Sequence, residues 1–110
     1  MSESVFDGLR FDPVEPAPAS HIAIALETLG NLPIHGLRHP PELDTNGWYI
    51  WCGEYSDADD FFQSLHIEHL IERLPEVRKF MSLPPGYRFL IDADGYEDIW
   101  FDESLLDVSE

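Results

Sequence analysis

A chain of 110 residues suffices for one ordinary domain and not for two. Apolar residues make up 44% and aromatics 13%, enough to build a core and to argue against global disorder. Twenty-two acidic residues against six basic ones give a net charge of −16, which repels phosphate backbones and argues against direct nucleic-acid binding. The same charge suits a partner with a basic surface, or simply high solubility.

Met1 to Ala19 carries Pro13, Pro16 and Pro18 among acidic residues. Prolines lack the amide donor and block a helix, so this stretch reads as an extended arm. Val5, Phe6, Leu9 and Phe11 are candidates to pin its first part to the domain. Ser20 can cap a helix, and Ile22, Leu26 and Leu29 then fall on one stripe, with a stop at Gly30-Asn31. Leu32 to Asn46 contains Pro33, Gly36, Pro40 and Pro41 and reads as a long surface loop.

Gly47 to Glu54 is expected to be a strand. Trp48, Ile50 and Cys52 occupy one face, Tyr49 and Trp51 the other, so it should be central or covered on both sides, with one face only half covered. Ser56 to Asp60 forms an acidic turn. Leu70, Ile71 and Leu74 mark an amphipathic helix from about Leu65 to Leu74. Pro75 opens a second helix, Glu76 to Ser82, which buries Val77, Phe80 and Met81.

Two aromatic-rich runs, Tyr87 to Ile91 and Tyr96 to Phe101, flank Asp94-Gly95 and predict a β-hairpin. A three-residue Ala93-Asp94-Gly95 loop would pair Tyr87 with Phe101, Phe89 with Ile99 and Arg88 with Trp100. That register gathers the aromatic and aliphatic side chains on one buried face and leaves Arg88 to stack on Trp100 on the other. A slip of one residue would invert the assignment. Asp102 to Leu106 can make a helical turn that packs Leu105 and Leu106 back. The expected fold is α+β: a small antiparallel sheet of three or more strands with helices packed mainly on one face. The division is an acidic Pro-rich arm, 1–19, followed by a single domain, 20–110.

The single cysteine, Cys52, excludes an internal disulfide and reads as a buried thiol in an apolar run. No apolar run approaches the ~20 residues of a membrane span, and the acidic N-terminus is not a signal peptide. A cytoplasmic setting without membrane contact follows as the expectation. His66, Glu68, His69 and Glu72 share one short helix, so His66 and His69 could hold a divalent metal or serve a small enzyme. The His-Glu-x-x-His pattern is absent and no third ligand is fixed by spacing, so a solvated polar face is the plainer reading and no cofactor is expected. Asp92, Asp94, Glu97, Asp98, Asp102 and Glu103 crowd the hairpin and its exit. Their spacing does not match a calcium loop, and an acid–base pair acting on a glycan is the weaker alternative to an anionic patch around Trp100.

Gly47-Trp48-Tyr49-Ile50-Trp51, Phe61-Phe62, Leu65-His66 with His69-Leu70, Leu83-Pro84-Pro85-Gly86-Tyr87-Arg88-Phe89-Leu90 and Tyr96 to Asp102 together resemble bacterial immunity proteins of family thirty-three, associated with polymorphic-toxin systems. The resemblance runs from Gly47 to Val108. It implies a small cytoplasmic protein without enzymatic activity that binds and blocks a cognate toxin. It assigns no contact residues. Charge and exposed rings nominate Glu97, Asp98, Trp100 and Asp102, and secondarily Asp57, Asp59 and Asp60, as the surface that meets a basic toxin. The protein itself is expected to be a monomer or a weak homodimer, because acidic side chains disfavour edge-to-edge pairing.

Overall fold

A computed structural model of the chain describes residues 12–16, 20–41, 45–56, 58 and 60–106. Six strands are present among them: β1 (His21–Ile24), β2 (Ile34–Arg38), β3 (Thr45–Cys52), β4 (Gln63–His66), β5 (Tyr87–Ile91) and β6 (Glu97–Phe101). They form one sheet in the order β4-β1-β3-β2-β5-β6. A single α-helix, α1 (Ile67–Arg73), and 3₁₀ helices at Leu26–Thr28, Pro75–Phe80 and Glu103–Leu106 complete the fold.

The apolar run at Gly47 is the inner strand that its two greasy faces demand. β3 lies between β1 and β2 and begins two residues earlier than expected. Trp48, Ile50 and Cys52 enter the main core, while Trp51 joins a smaller cluster with Ala25 and Phe61 on the other face. The Trp48 indole N–H donates to the Met81 carbonyl at 3.0 Å, so the buried ring leaves no polar atom stranded.

Two expectations upstream are overturned. The helix expected from Ser20 is instead strand β1 with a short 3₁₀ turn. Ile22 and Ile24 are buried and alternate with half-exposed His21 and Ala23, a period of two that β-branched side chains favour over helix. The loop expected over Leu32 to Asn46 contains β2. Its inward residues are Ile34, Gly36 and Arg38, so no apolar alternation marks it. Gly36 is needed there because the Phe89 ring lies where a Cβ would stand.

The sheet is also mixed rather than antiparallel, since β1 runs parallel to β3. The cause is the turn between β1 and β2. It crosses the end of β3, where Ala25 N–H donates to the Ile50 carbonyl and Cys52 N–H to Thr28 Oγ1. The chain goes up in β1, down in β2 and up again in β3, which inserts between them. All other neighbours are antiparallel.

The helix expected from Leu65 starts at Ile67, because Leu65 belongs to β4 and pairs with Ile22. The second helix is 3₁₀, with Pro75 in its first turn, and buries Val77 and Phe80. Together with α1 it delivers Ile67, Leu70, Val77 and Phe80 to the main core. Phe80 stacks on Phe89 with ring centroids 4.5 Å apart.

The hairpin register is the one that gathers the aromatics. Tyr87 pairs with Phe101, Arg88 with Trp100 and Phe89 with Ile99. Asp92 N–H donates to the Tyr96 carbonyl and Gly95 N–H to the Asp92 carbonyl, enclosing residues 93–95. Gly95 has φ +81°, which only glycine reaches without cost in such a loop. After β6, Leu105 is buried by the 3₁₀ turn. In the arm, Val14 N–H donates to the Ser82 carbonyl at 2.8 Å. Val5, Phe6, Leu9 and Phe11 lie outside the described residues.

Candidate functional site

Strand alternation divides the side chains of β2, β3, β5 and β6 between the main core and a second face. On the second face two cross-strand rows can be followed through the paired residues. One runs Trp51, His35, Leu90, Asp98; the other runs Tyr49, Leu37, Arg88, Trp100. The β3 end of these rows is covered by Tyr55, Phe61 and Phe62. Phe62 meets Tyr49 edge-on at 5.2 Å, and Tyr55 meets Trp51 at 5.3 Å. Trp51 is consequently only 7% exposed. Among the described residues, His35, Leu37, Arg88 and Leu90 remain half-buried beyond that cover, and Trp100 is 38% exposed.

Arg88 is the cation of this face. Its guanidinium lies 5.7 Å from the Trp100 ring centre, and Nη1 donates to Asp102 Oδ2 at 3.0 Å. Its Nε is buried without a partner. The Asp102 carboxylate is held below the usual range by its hydrogen bond from the Ser104 hydroxyl and then by Arg88. His35 stacks on Trp51 with centroids 4.9 Å apart. Burial, and then the charge of Arg88, push the His35 imidazole below its ordinary value, so it is neutral near pH 7.

The nominated acidic residues are not one patch. Asp98, Trp100 and Asp102 belong to the second face and its rim. Glu97 alternates to the core side, where it forms an ion pair with Lys79 of the 3₁₀ helix Pro75–Phe80. Asp98 Oδ1 accepts the Ile99 amide at 3.0 Å. Asp60 is exposed beside Phe61 and turns its carbonyl to Gln63 Nε2. Asp57 and Asp59 lie outside the described residues. Of the six carboxylates around the hairpin, Asp92, Asp94, Asp98 and Glu103 form no ion pair among the described residues. Sequence reading missed His35 and Leu37 because β2 was invisible to it, and Leu90 because, without β2 beside it, nothing marked the outward side of β5 as part of a wider face.

The histidine alternative gains a member. His21 stacks on His66 at 4.3 Å across β1 and β4, and His66 lies 5.7 Å from His69. No three His, Cys, Asp or Glu side chains converge on a metal position among the described residues. Cys52 is buried, and burial pushes its thiol up, away from the reactive thiolate. No described helix is long and apolar enough to cross a membrane.

The Imm33-like domain family matches residues 1–102. This chain belongs to that family of immunity proteins. The match takes in the Pro-rich arm, β1 and β2 as well as the aromatic segments, so the likeness carried by Gly47 to Val108 extends over nearly the whole Imm33-like chain. No curated protein and no solved structure matches it.

Proposed function

We propose that the protein is a non-enzymatic immunity protein that binds and neutralises a cognate bacterial toxin in the cytoplasm. The contact surface is the acidic, aromatic-bearing face around Trp100. The observation that carries the reading is the position of Trp100: an exposed indole, backed by a guanidinium, beside Asp98 and Asp102, in a chain whose family is one of immunity proteins. Exposed Trp with a charged rim is the composition of a binding hot spot, and negative charge speeds encounter with a basic partner. The partner has a basic surface. Asp60 extends the negative field beside Phe61, Asp57 and Asp59 are secondary candidates by sequence, and Glu97 contributes only at long range.

The test is protection in living cells. The chain is co-expressed with a candidate toxin taken from its gene neighbourhood. The wild type should restore growth, and Asp98→Lys combined with Trp100→Ala should lose most of that protection while the protein remains folded and soluble. Growth arrest unrelieved by the wild-type chain would reject the assignment, and full protection by the double variant would reject the surface.

A further inference from the structure

We propose that the face of β2, β5 and β6 that is left open among the described residues seats a segment of the partner that carries an arginine or lysine between aliphatic residues. This deepens the immunity reading and rests on it for the identity of the partner, but the chemistry of the seat can be tested alone.

Three routes for a partner exist at this end of the sheet, and two are closed. The first is strand addition at the free edge of β6. With Asp98 and Trp100 bonded inward to β5, the outward backbone groups belong to Glu97, Ile99 and Phe101. The Ile99 amide in the middle of that edge is already taken by the Asp98 carboxylate. Carboxylates along an edge are a standard block to pairing. The second route is an anion on Arg88. Its Nη1 is held by Asp102, its plane rests on Trp100 and its Nε is buried, so the Nε–Nη1 edge is not open to a carboxylate or phosphate, and the Asp102 carboxylate beside it repels an anion.

The third route is the face itself, and its charge selects the occupant. The row Trp51, His35, Leu90, Asp98 rises from apolar floor to a carboxylate with no ion pair. His35 adds no positive charge near pH 7. A cation set on Asp98 lies next to Trp100, while the aliphatic residues flanking it rest on Leu90 and Leu37. Asp92, Asp94 and Glu103 keep the surroundings negative and likewise unpaired.

The probe is a short peptide, acetyl-Leu-Arg-Leu-Arg-Leu-amide, titrated into the isotope-labelled full chain. Its glutamate counterpart and arginine amide serve as controls at equal ionic strength. The arginine peptide should give saturable shifts at Leu37, Leu90, Asp98 and the Trp100 indole, with neither control matching them. Leu90→Ser and Trp100→Ala should each weaken it about tenfold or more. The spectra of the variants report directly that they fold. Shifts spread over acidic residues of the whole surface, or equal shifts with arginine amide, or affinities unchanged in both variants would overturn the proposal. If this fails while co-expression still protects, the seat is wrong and the immunity reading stands. If the peptide binds as expected but no protection is seen, the seat stands and the toxin reading falls.

Discussion

Arg38 shows how far a single residue can mislead a reading from sequence. It is 1% exposed and has no carboxylate partner among the described residues. Its Nε donates to the Asn46 carbonyl at 2.9 Å, and Nη1 reaches the carbonyls of Val14 at 2.6 Å and Leu83 at 2.8 Å, with Met81 at 3.3 Å. The guanidinium also lies over the Trp48 ring. Burial lowers its pKa to about 10, still far above neutrality, so it is a cation in the fold. Four carbonyls from three separate stretches supply the compensation that a carboxylate would otherwise give. Nothing in a charged residue between Gly36 and Pro40 announces such a role, and the prolines and glycine around it make the segment read as a loop. Arg38→Met should cost about 3–5 kcal/mol, because it strands several buried acceptors at once. Urea unfolding measures it, and a loss below about 1 kcal/mol would mean that water satisfies the carbonyls instead. Arg38→Lys should recover little, since a single ammonium cannot span the same fork.

At the level of elements, legibility followed the strength of the local pattern. β3 and the β5–β6 hairpin carry aromatic alternation and an Asp-Gly turn, and both form where expected. The hairpin register was readable because only one pairing puts Tyr87, Phe89, Ile99 and Phe101 together. β1 was ambiguous, since Ile22, Leu26 and Leu29 satisfy a helical stripe and Ile22 and Ile24 satisfy a strand; its place beside β3 decided it. β2 had no local signal, because its core-facing positions hold a glycine and an arginine. The candidate site inherits this division. Trp100 was found by alternation, but Leu37 and His35 come from β2, and Glu97 sits next to Asp98 in sequence yet on the other side of the sheet. Gly36 is where β2 can be tested. Ala at this position places a methyl group inside the Phe89 ring, which is itself held by Phe80. Gly36→Ala should therefore destabilise by about 1–3 kcal/mol through overpacking, although alanine is otherwise harmless in a strand. The same substitution with Phe89→Leu should recover part of the loss, and a double-mutant cycle without coupling would remove the close approach as the reason for the glycine.

For the molecule as a whole, the charge of −16 acts in two opposed ways. Within the chain it is self-repulsion. The cations available to offset it are few: Arg38 is committed to carbonyls, Arg88 to Asp102 and Lys79 to Glu97. Screening should relieve that strain, so added salt should raise the midpoint of urea unfolding. Between molecules, on the proposed reading, the same field would accelerate encounter with a basic toxin, and screening should slow it. From low salt to about 0.5 M the association rate constant should fall by about tenfold or more, since the Debye length drops below the span of the acidic face. The dissociation rate should change far less, because it is set by the short-range contacts of Trp100 and its neighbours rather than by the long-range field. Stability and association rate therefore move in opposite directions along one salt series. Stopped-flow binding and equilibrium unfolding, run on the same samples, check both. An association rate indifferent to salt would mean that the partner does not use the charge, and that the acidic composition serves solubility alone.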